Sequence, residues 1–197
     1  MPLLGVIICS TRPGRVGPAF ATWFAEAATA HGAFDVTLID VAQLNLPLFD
    51  EPKLPSLREY THDHTRAWSG IVMTLDAVVF VSPEYNHGPP PAAVNALSYL
   101  AREWAYMPAG FVGYGGLAGG ARAIQTLRLS TNALRMMPMP ESVLFPNFSQ
   151  HLDANGQVNA QDTSRQVAGR LLDELSRWTG VLAQLRASAL GRDHADG

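Results

Sequence analysis

Cysteine and lysine are almost missing from this chain. Its 197 residues hold one of each, Cys9 and Lys53, so arginine carries nearly all the positive charge. One cysteine excludes an intrachain disulfide and a cysteine-based zinc site. Charged residues make up 16% and the net charge is −3, which leaves no broad basic face of the kind nucleic acid requires. The N-terminal apolar run LLGVIIC (3–9) is too short to span a membrane and has no basic flank before it. No fixed-period repeat or low-complexity segment interrupts the chain. The spacings G-x-x-x-x-G-K-[ST] and G-x-G-x-x-G are both missing, which removes the Walker loop and the dinucleotide fingerprint. His62 and His64, in THDHT, lie two apart on an expected helix and would not face each other. They read as solvent-facing residues, and no metal site is expected. The remaining expectation is a soluble cytoplasmic protein with no nucleic-acid or membrane partner.

Apolar residues make up 47% of the chain, enough for a sizeable core. One domain is expected over 1–187, with 188–197 as a flexible tail. Short apolar runs at 3–9, 35–40, 77–82, 109–114 and 142–145 read as strands buried on both faces. Between them lie helical patterns. Pro18 opens one that carries Phe20, Trp23, Phe24, Ala27 and Ala28 on one face. A second falls near 61–75. Pro91 opens a third, with Val94, Leu97, Ala101 and Trp104 in one stripe. Ile124, Leu127, Thr131 and Leu134 mark a fourth, and Val167, Leu171, Leu175, Trp178, Leu182 and Leu185 the last. Alternating strands and helices imply an α/β three-layer sandwich with a five-stranded parallel sheet. The order 2-1-3-4-5, flavodoxin-like, places a ligand crevice at the carboxyl ends of strands 1 and 3. The proline-rich segment 41–60 reads as a lid, an oligomer contact or a plain surface loop.

The three unusual turns all follow strands. CSTRPGRVG (9–17) combines glycines, the hydroxyls of Ser10 and Thr11, two arginines and a following helix start. That set suits a phosphate monoester, held by backbone N–H groups, the helix dipole and forked donors. Two other readings stay open: a solvated basic turn, and the reactive loop of a low-molecular-weight phosphatase with Cys9 as nucleophile and Arg15 five residues on. Against the latter, Val16 stands where a hydroxyl is usual, and no Asp-Pro acid loop exists. SPEYNHGPPP (82–91) is rigid by its prolines and glycine, and its Tyr85, Asn86 and His87 suit the edge of a planar heterocycle. Glu84 is either a general acid or base or, the favoured reading, a hydrogen-bonded brace. GYGGLAGG (113–120) brings backbone close to a partner or simply turns tightly.

Together these loops resemble the NAD(P)H-dependent FMN reductases of the flavodoxin-like fold, a group that includes azo- and quinone reductases. STRPGRVG (10–17) is similar to the family's phosphate loop, PEYN (83–86) to its isoalloxazine loop, and YGGLAGGARAIQTLR (114–128) to its third flavin loop. LPLFDEP (46–52) is similar to the segment after strand 2. The resemblance implies a bound FMN and NADPH or NADH as co-substrate. Ser10, Arg12, Arg15 and the backbone of Val16 and Gly17 would hold the phosphate, with Arg15 the more direct of the two arginines. Pro83, Glu84, Tyr85 and Asn86 would line the ring, and Gly115 and Gly116 would approach its pyrimidine side. Hydride would pass from nicotinamide to the flavin and on to a quinone, azo compound, free flavin or similar acceptor, with no catalytic side chain. A homodimer or homotetramer is implied. The alternative on the same fold is a non-enzymatic electron carrier or FMN-binding sensor. Gly113, Val94 and Cys9 depart from residues common in the family.

Overall fold

Strands buried on both faces need apolar side chains at every position, and the central runs of this chain supply them. In the computed structural model, which describes residues 1–191, they form β1 (Leu3–Ile8), β3 (Ala77–Pro83) and β4 (Pro108–Tyr114), whereas the run 35–40, also expected to be buried on both faces, forms the edge strand β2 (Asp35–Asp40), in which only Ile39 is buried. Two shorter strands follow, β5 (Met137–Pro138) and β6 (Val143–Phe145). All pairings are parallel, in the order β2-β1-β3-β4-β5, with β6 also on β4. The expected order holds. Every residue of β3 and β4 is buried.

The fifth lane differs from expectation. It is shared by two pieces, Met137–Pro138 beside Pro108 and Ala109, and Val143–Phe145 beside Val112 to Tyr114. Met139 still donates to Ala109 O at 2.8 Å. Pro140 then lacks the N–H that the ladder requires, and the chain leaves the sheet. Arg128 fills the gap, donating to the carbonyls of Met139 and Pro140 and to Ser142 Oγ.

The helices are α1 (Gly17–His31), α2 (Val41–Leu44), α3 (Asp63–Met73), α4 (Pro91–Ser98), α5 (Ala121–Ala133) and α6 (Asp162–Ala189). Strand alternation sorts the core into two layers. Leu4, Val6 and Ile8 face Phe20 and Phe24 of α1 and Leu171 and Leu175 of α6. Ile7 and Cys9 face the other way, toward Trp68, Leu97 and Ile124. The stripe expected from Val94 to Trp104 is not one helix. α4 stops at Ser98, Trp104 lies on a separate 3-10 turn, and Val94 is 40% exposed. Tyr99 is drawn inward there, its hydroxyl donating to Pro47 O and Asp50, and the Trp104 indole N–H returns to Leu97 O.

The segment after α2 is strapped onto α4. Asn95 accepts from Phe49 N–H and donates to Pro47 O at 2.6 Å, and buried Glu51 accepts from the N–H groups of Thr61 and His62. His62 and His64 are not free. Their rings stack with centroids 5.1 Å apart, and both approach Asp50. His62 is the extended N-cap residue of α3, so helical spacing does not govern that pair. α6 runs past the expected tail start at 188, with Arg186 buried among the carbonyls of Val72, Leu75, Glu103 and Ala105. Positions 192–197 of the expected tail lie outside the described residues.

Candidate functional site

The carboxyl ends of β1, β3 and β4 lie side by side, so the three unusual loops meet at one edge of the sheet. In the first, Gly14 has a φ of 71° and Arg15 N–H closes a turn on Arg12 O at 3.1 Å. Among the described residues, Arg15 is the only member of 10–16 whose backbone N–H has a protein acceptor. α1 then starts with Val16 as an N-cap without a side-chain hydrogen bond and no acidic residue in its first turn. Its positive end is open.

Beneath that opening, Ser10 Oγ is fully buried and makes no hydrogen bond of good geometry, with the Tyr114 hydroxyl as a polar neighbour. Gly17 makes room for it: a Cβ there would collide with Ser10 Oγ and stand 2.7 Å from the Tyr114 hydroxyl. Tyr114 is buried and stacked on Phe20, with centroids 4.7 Å apart. Burial pushes its phenol pKa up, so the hydroxyl keeps its proton. Arg12 is exposed and has no described ion-pair partner. Arg15 behaves differently. Its Nη1 and Nη2 each bind an Asp40 carboxylate oxygen at 2.6 Å, and Nη1 also binds Ser10 O. Partial burial works against the charge of Asp40, but bonds from Arg15 and the Ala42 N–H hold its carboxyl below the usual range.

The second loop is rigid for a different reason from the one expected. Tyr85 and Gly88 exchange both backbone hydrogen bonds at 2.9 Å, with Asn86 at φ 49° and His87 at φ 66°. Two left-handed central residues make a type I′ turn, which asparagine tolerates well. Glu84 braces it. Its carboxylate accepts from Arg122 N–H at 3.1 Å and Arg122 Nε at 2.6 Å, at the start of α5. Burial opposes that charge, yet the Arg122 bonds hold the carboxyl below its ordinary value.

In the third loop, Gly120 caps α5 at φ 89°. Gly115 is buried, and a Cβ on it would lie 3.2 Å from Gly120 N and 3.5 Å from Glu84 Cβ. Gly116 faces open space, so closeness does not demand a glycine there. A Cβ on Gly113 would press on Ile124 at 2.7 Å, so a side chain there would point under the third loop.

The structure overturns the phosphatase reading. Cys9 is fully buried in the layer opposite α1, and its thiol donates to Ile7 O. Burial pushes that thiol up to about 12, far from a reactive thiolate.

A profile described as NADPH-dependent FMN reductase matches residues 2–150. The chain belongs to this family. An NAD(P)H-dependent FMN reductase of Schizosaccharomyces pombe is 38% identical over 141 residues, covering 71% of this chain and 70% of that one. A 2-hydroxy-1,4-benzoquinone reductase of a Burkholderia species is 25% identical over 185 residues, covering 89% and 94%. Among solved structures, the flavoenzyme NAD(P)H:acceptor oxidoreductase FerB of Paracoccus denitrificans superposes with a TM-score of 0.71 at 20% identity. That alignment covers 92% of this chain and 98% of FerB. This FMN reductase is therefore an oxidoreductase enzyme that uses FMN and NAD(P)H, which sets aside the carrier and sensor reading. No described helix is long and apolar enough to cross a membrane.

The FMN reductase's loops fit the cofactor's phosphate. An orphaned buried hydroxyl, a row of unused N–H groups, a helix start with no cap and an unpaired arginine together make an anion cradle. Three residues of the site had no role assigned from sequence, although Tyr114 and Arg122 lie inside the 114–128 motif. Asp40 lies opposite Ile8 in the parallel register, which places it beside the end of β1. Tyr114 precedes the third loop on the α1 face of β4. Arg122 opens α5 one turn from the loop glycines. Register and alternation, not motif spacing, were the signals for them.

Proposed function

We propose that this FMN reductase holds the FMN phosphate at the open end of α1 and passes electrons from NAD(P)H to a quinone-class acceptor. The carrying observation is the buried Ser10 hydroxyl, without a well-formed hydrogen bond, beside Gly17 and an uncapped helix start. Ser10 Oγ and the N–H groups of Thr11, Val16 and Gly17 donate to the phosphate, and Arg12 adds charge from the exposed side. Pro83 to Asn86 and the backbone of Gly115 and Gly116 line the ring. Glu84 serves there through its backbone, since its carboxylate is spent on Arg122.

When bound, FMN supplies the redox chemistry between the nicotinamide and the acceptor. The protein's own part is placement. The type I′ turn fixes the second loop, the Glu84–Arg122 pair ties it to α5, and Gly115 lets the third loop close against it. No free thiolate or carboxylate stands at these loops, because Cys9 is buried and Glu84 is paired. The acceptor class rests on the quinone reductase among the relatives and on exposed apolar surface at Leu117, 87% exposed on the third loop.

The test is NAD(P)H oxidation by the FMN-loaded protein with benzoquinone, an azo dye or free flavin as acceptor. Saturable turnover, most efficient with the quinone, is expected. A protein that binds FMN yet turns over none of them would overturn the proposal. The chain is also proposed to work as a homo-oligomer. Leu48, Leu54, Leu57 and Val94 leave an apolar surface on the strap and α4. Light scattering during gel filtration distinguishes a dimer or tetramer from the monomer that would refute this.

A further inference from the structure

We infer that Arg15 is a positioning residue, not a phosphate ligand, and that Asp40 is the group through which it acts. This rests on the reading of the 10–17 loop as the FMN phosphate cradle. Arginine in such a loop is the obvious phosphate fork. Here the Nη1/Nη2 end of the fork is already filled. Both terminal nitrogens of Arg15 bind the Asp40 carboxylate at 2.6 Å, and Nη1 also holds Ser10 O. The two side chains are 19% and 10% exposed, so the pair is largely removed from water.

Turning Arg15 toward a phosphate would break both bonds and leave a buried carboxylate unpaired. That is the costly way to disrupt a buried ion pair. It would also bring Asp40 uncompensated beside a dianion. The arrangement makes sense if the pair shapes the loop instead. Arg15 grips the carbonyl of Ser10, the residue whose hydroxyl is orphaned beneath the cradle. Asp40 in turn is fixed by the end of β2 and by accepting from Ala42 N–H at 3.0 Å, as the N-cap of α2. The loop is thereby tied to the neighbouring strand, and Ser10 is held with its Oγ inward. Arg12, exposed and unpaired among the described residues, is left as the cation that meets the phosphate.

The two roles for Arg15 predict opposite signs for Asp40→Asn. If Arg15 bound the phosphate directly, removing Asp40's charge would free the guanidinium and tighten FMN binding. If Arg15 positions the loop, the same change loosens Ser10 and weakens FMN by about tenfold, the loss of one charge-assisted donor. Fluorescence titration of flavin-free protein with FMN and with riboflavin, which lacks the phosphate, reads this out. The expected result is a loss confined to FMN, with Asp40→Glu restoring part of it. Unchanged or tighter FMN binding by Asp40→Asn overturns the inference, as does an equal loss for both flavins. Should Asp40→Asn not fold, Asp40→Ser decides by the same signs. It too frees the Arg15 guanidinium, so a tenfold loss confined to FMN supports positioning, and unchanged or tighter FMN binding refutes it. Failure of the wild-type protein to bind FMN would instead strike the proposed function, whatever the variants do.

Discussion

Two helices, α1 and α5, begin at the same edge of the sheet, each after a strand and a glycine-rich turn. Both carry the same positive pole. α1 starts at Gly17 with no side-chain cap, no acid in its first turn and an orphaned hydroxyl beneath it. α5 starts after Gly120, and there Glu84 from the neighbouring loop supplies the anion, bonded to Arg122 N–H and Nε. One helix end is left open, the end proposed to take the phosphate; the other holds two loops together. On that proposal, a helix N-terminus becomes a binding site by what the protein withholds from it, as much as by its dipole.

The difference can be broken from either side. Gly17→Val should act most strongly, because its Cβ would occupy the space of Ser10 Oγ and crowd Tyr114. Losing two or more charge-assisted bonds should weaken FMN roughly a hundredfold or more in a titration of flavin-free protein.

Glu84→Gln should act on stability, costing about 2 kcal/mol in urea unfolding, because it weakens a bonded carboxylate. It also carries a pH signature. Glu84 and Asp40 both have carboxyls held below their ordinary values. Their contributions are complete above the ordinary carboxylate range and are lost as pH falls through the lowered values. Stability should therefore drop below roughly pH 4, and Glu84→Gln should flatten part of that drop. A variant with an undiminished acid slope would show that Glu84 is not the capping anion of α5.

Ser10→Ala sharpens the comparison further. It should weaken FMN by about tenfold while leaving the flavin-free protein about as stable, since its hydroxyl has no well-formed hydrogen bond to lose. Thermal melting with and without FMN separates the two effects. The smallest change belongs to the second loop. Asn86→Gly should stay within a few tenths of a kcal/mol, whereas Asn86→Ala should cost about 1 kcal/mol, because φ is 49° there.

Much of the frame was legible in the sequence for simple physical reasons. Strands buried on both faces, such as AVVFVS and AGFVGY, are apolar almost throughout, and the unusual turns follow them. The family resemblance carried the cofactor. What the sequence concealed were partnerships between distant segments. Arg15 reads as a phosphate ligand from its place near the start of α1, and its pairing with Asp40, 25 residues away, has no local signal. Met137–Pro138, the first piece of the fifth lane, gives no strand signal because it is only two residues long and ends in a proline; only the run 142–145 reads as a strand. The Val94–Trp104 stripe has helical spacing, but the inward pull on Tyr99 ended the helix first. The His62–His64 stack is hidden from helical spacing because His62 is the extended residue before α3.

The most direct test of the account is a crystal structure of the FMN-bound protein. The phosphate should lie at the start of α1, accepting from Ser10 Oγ and the loop N–H groups, with Arg15 still on Asp40 and Glu84 still on Arg122. A phosphate seated at the start of α5 with Glu84 displaced, or one gripped by an Arg15 that has left Asp40, would contradict it.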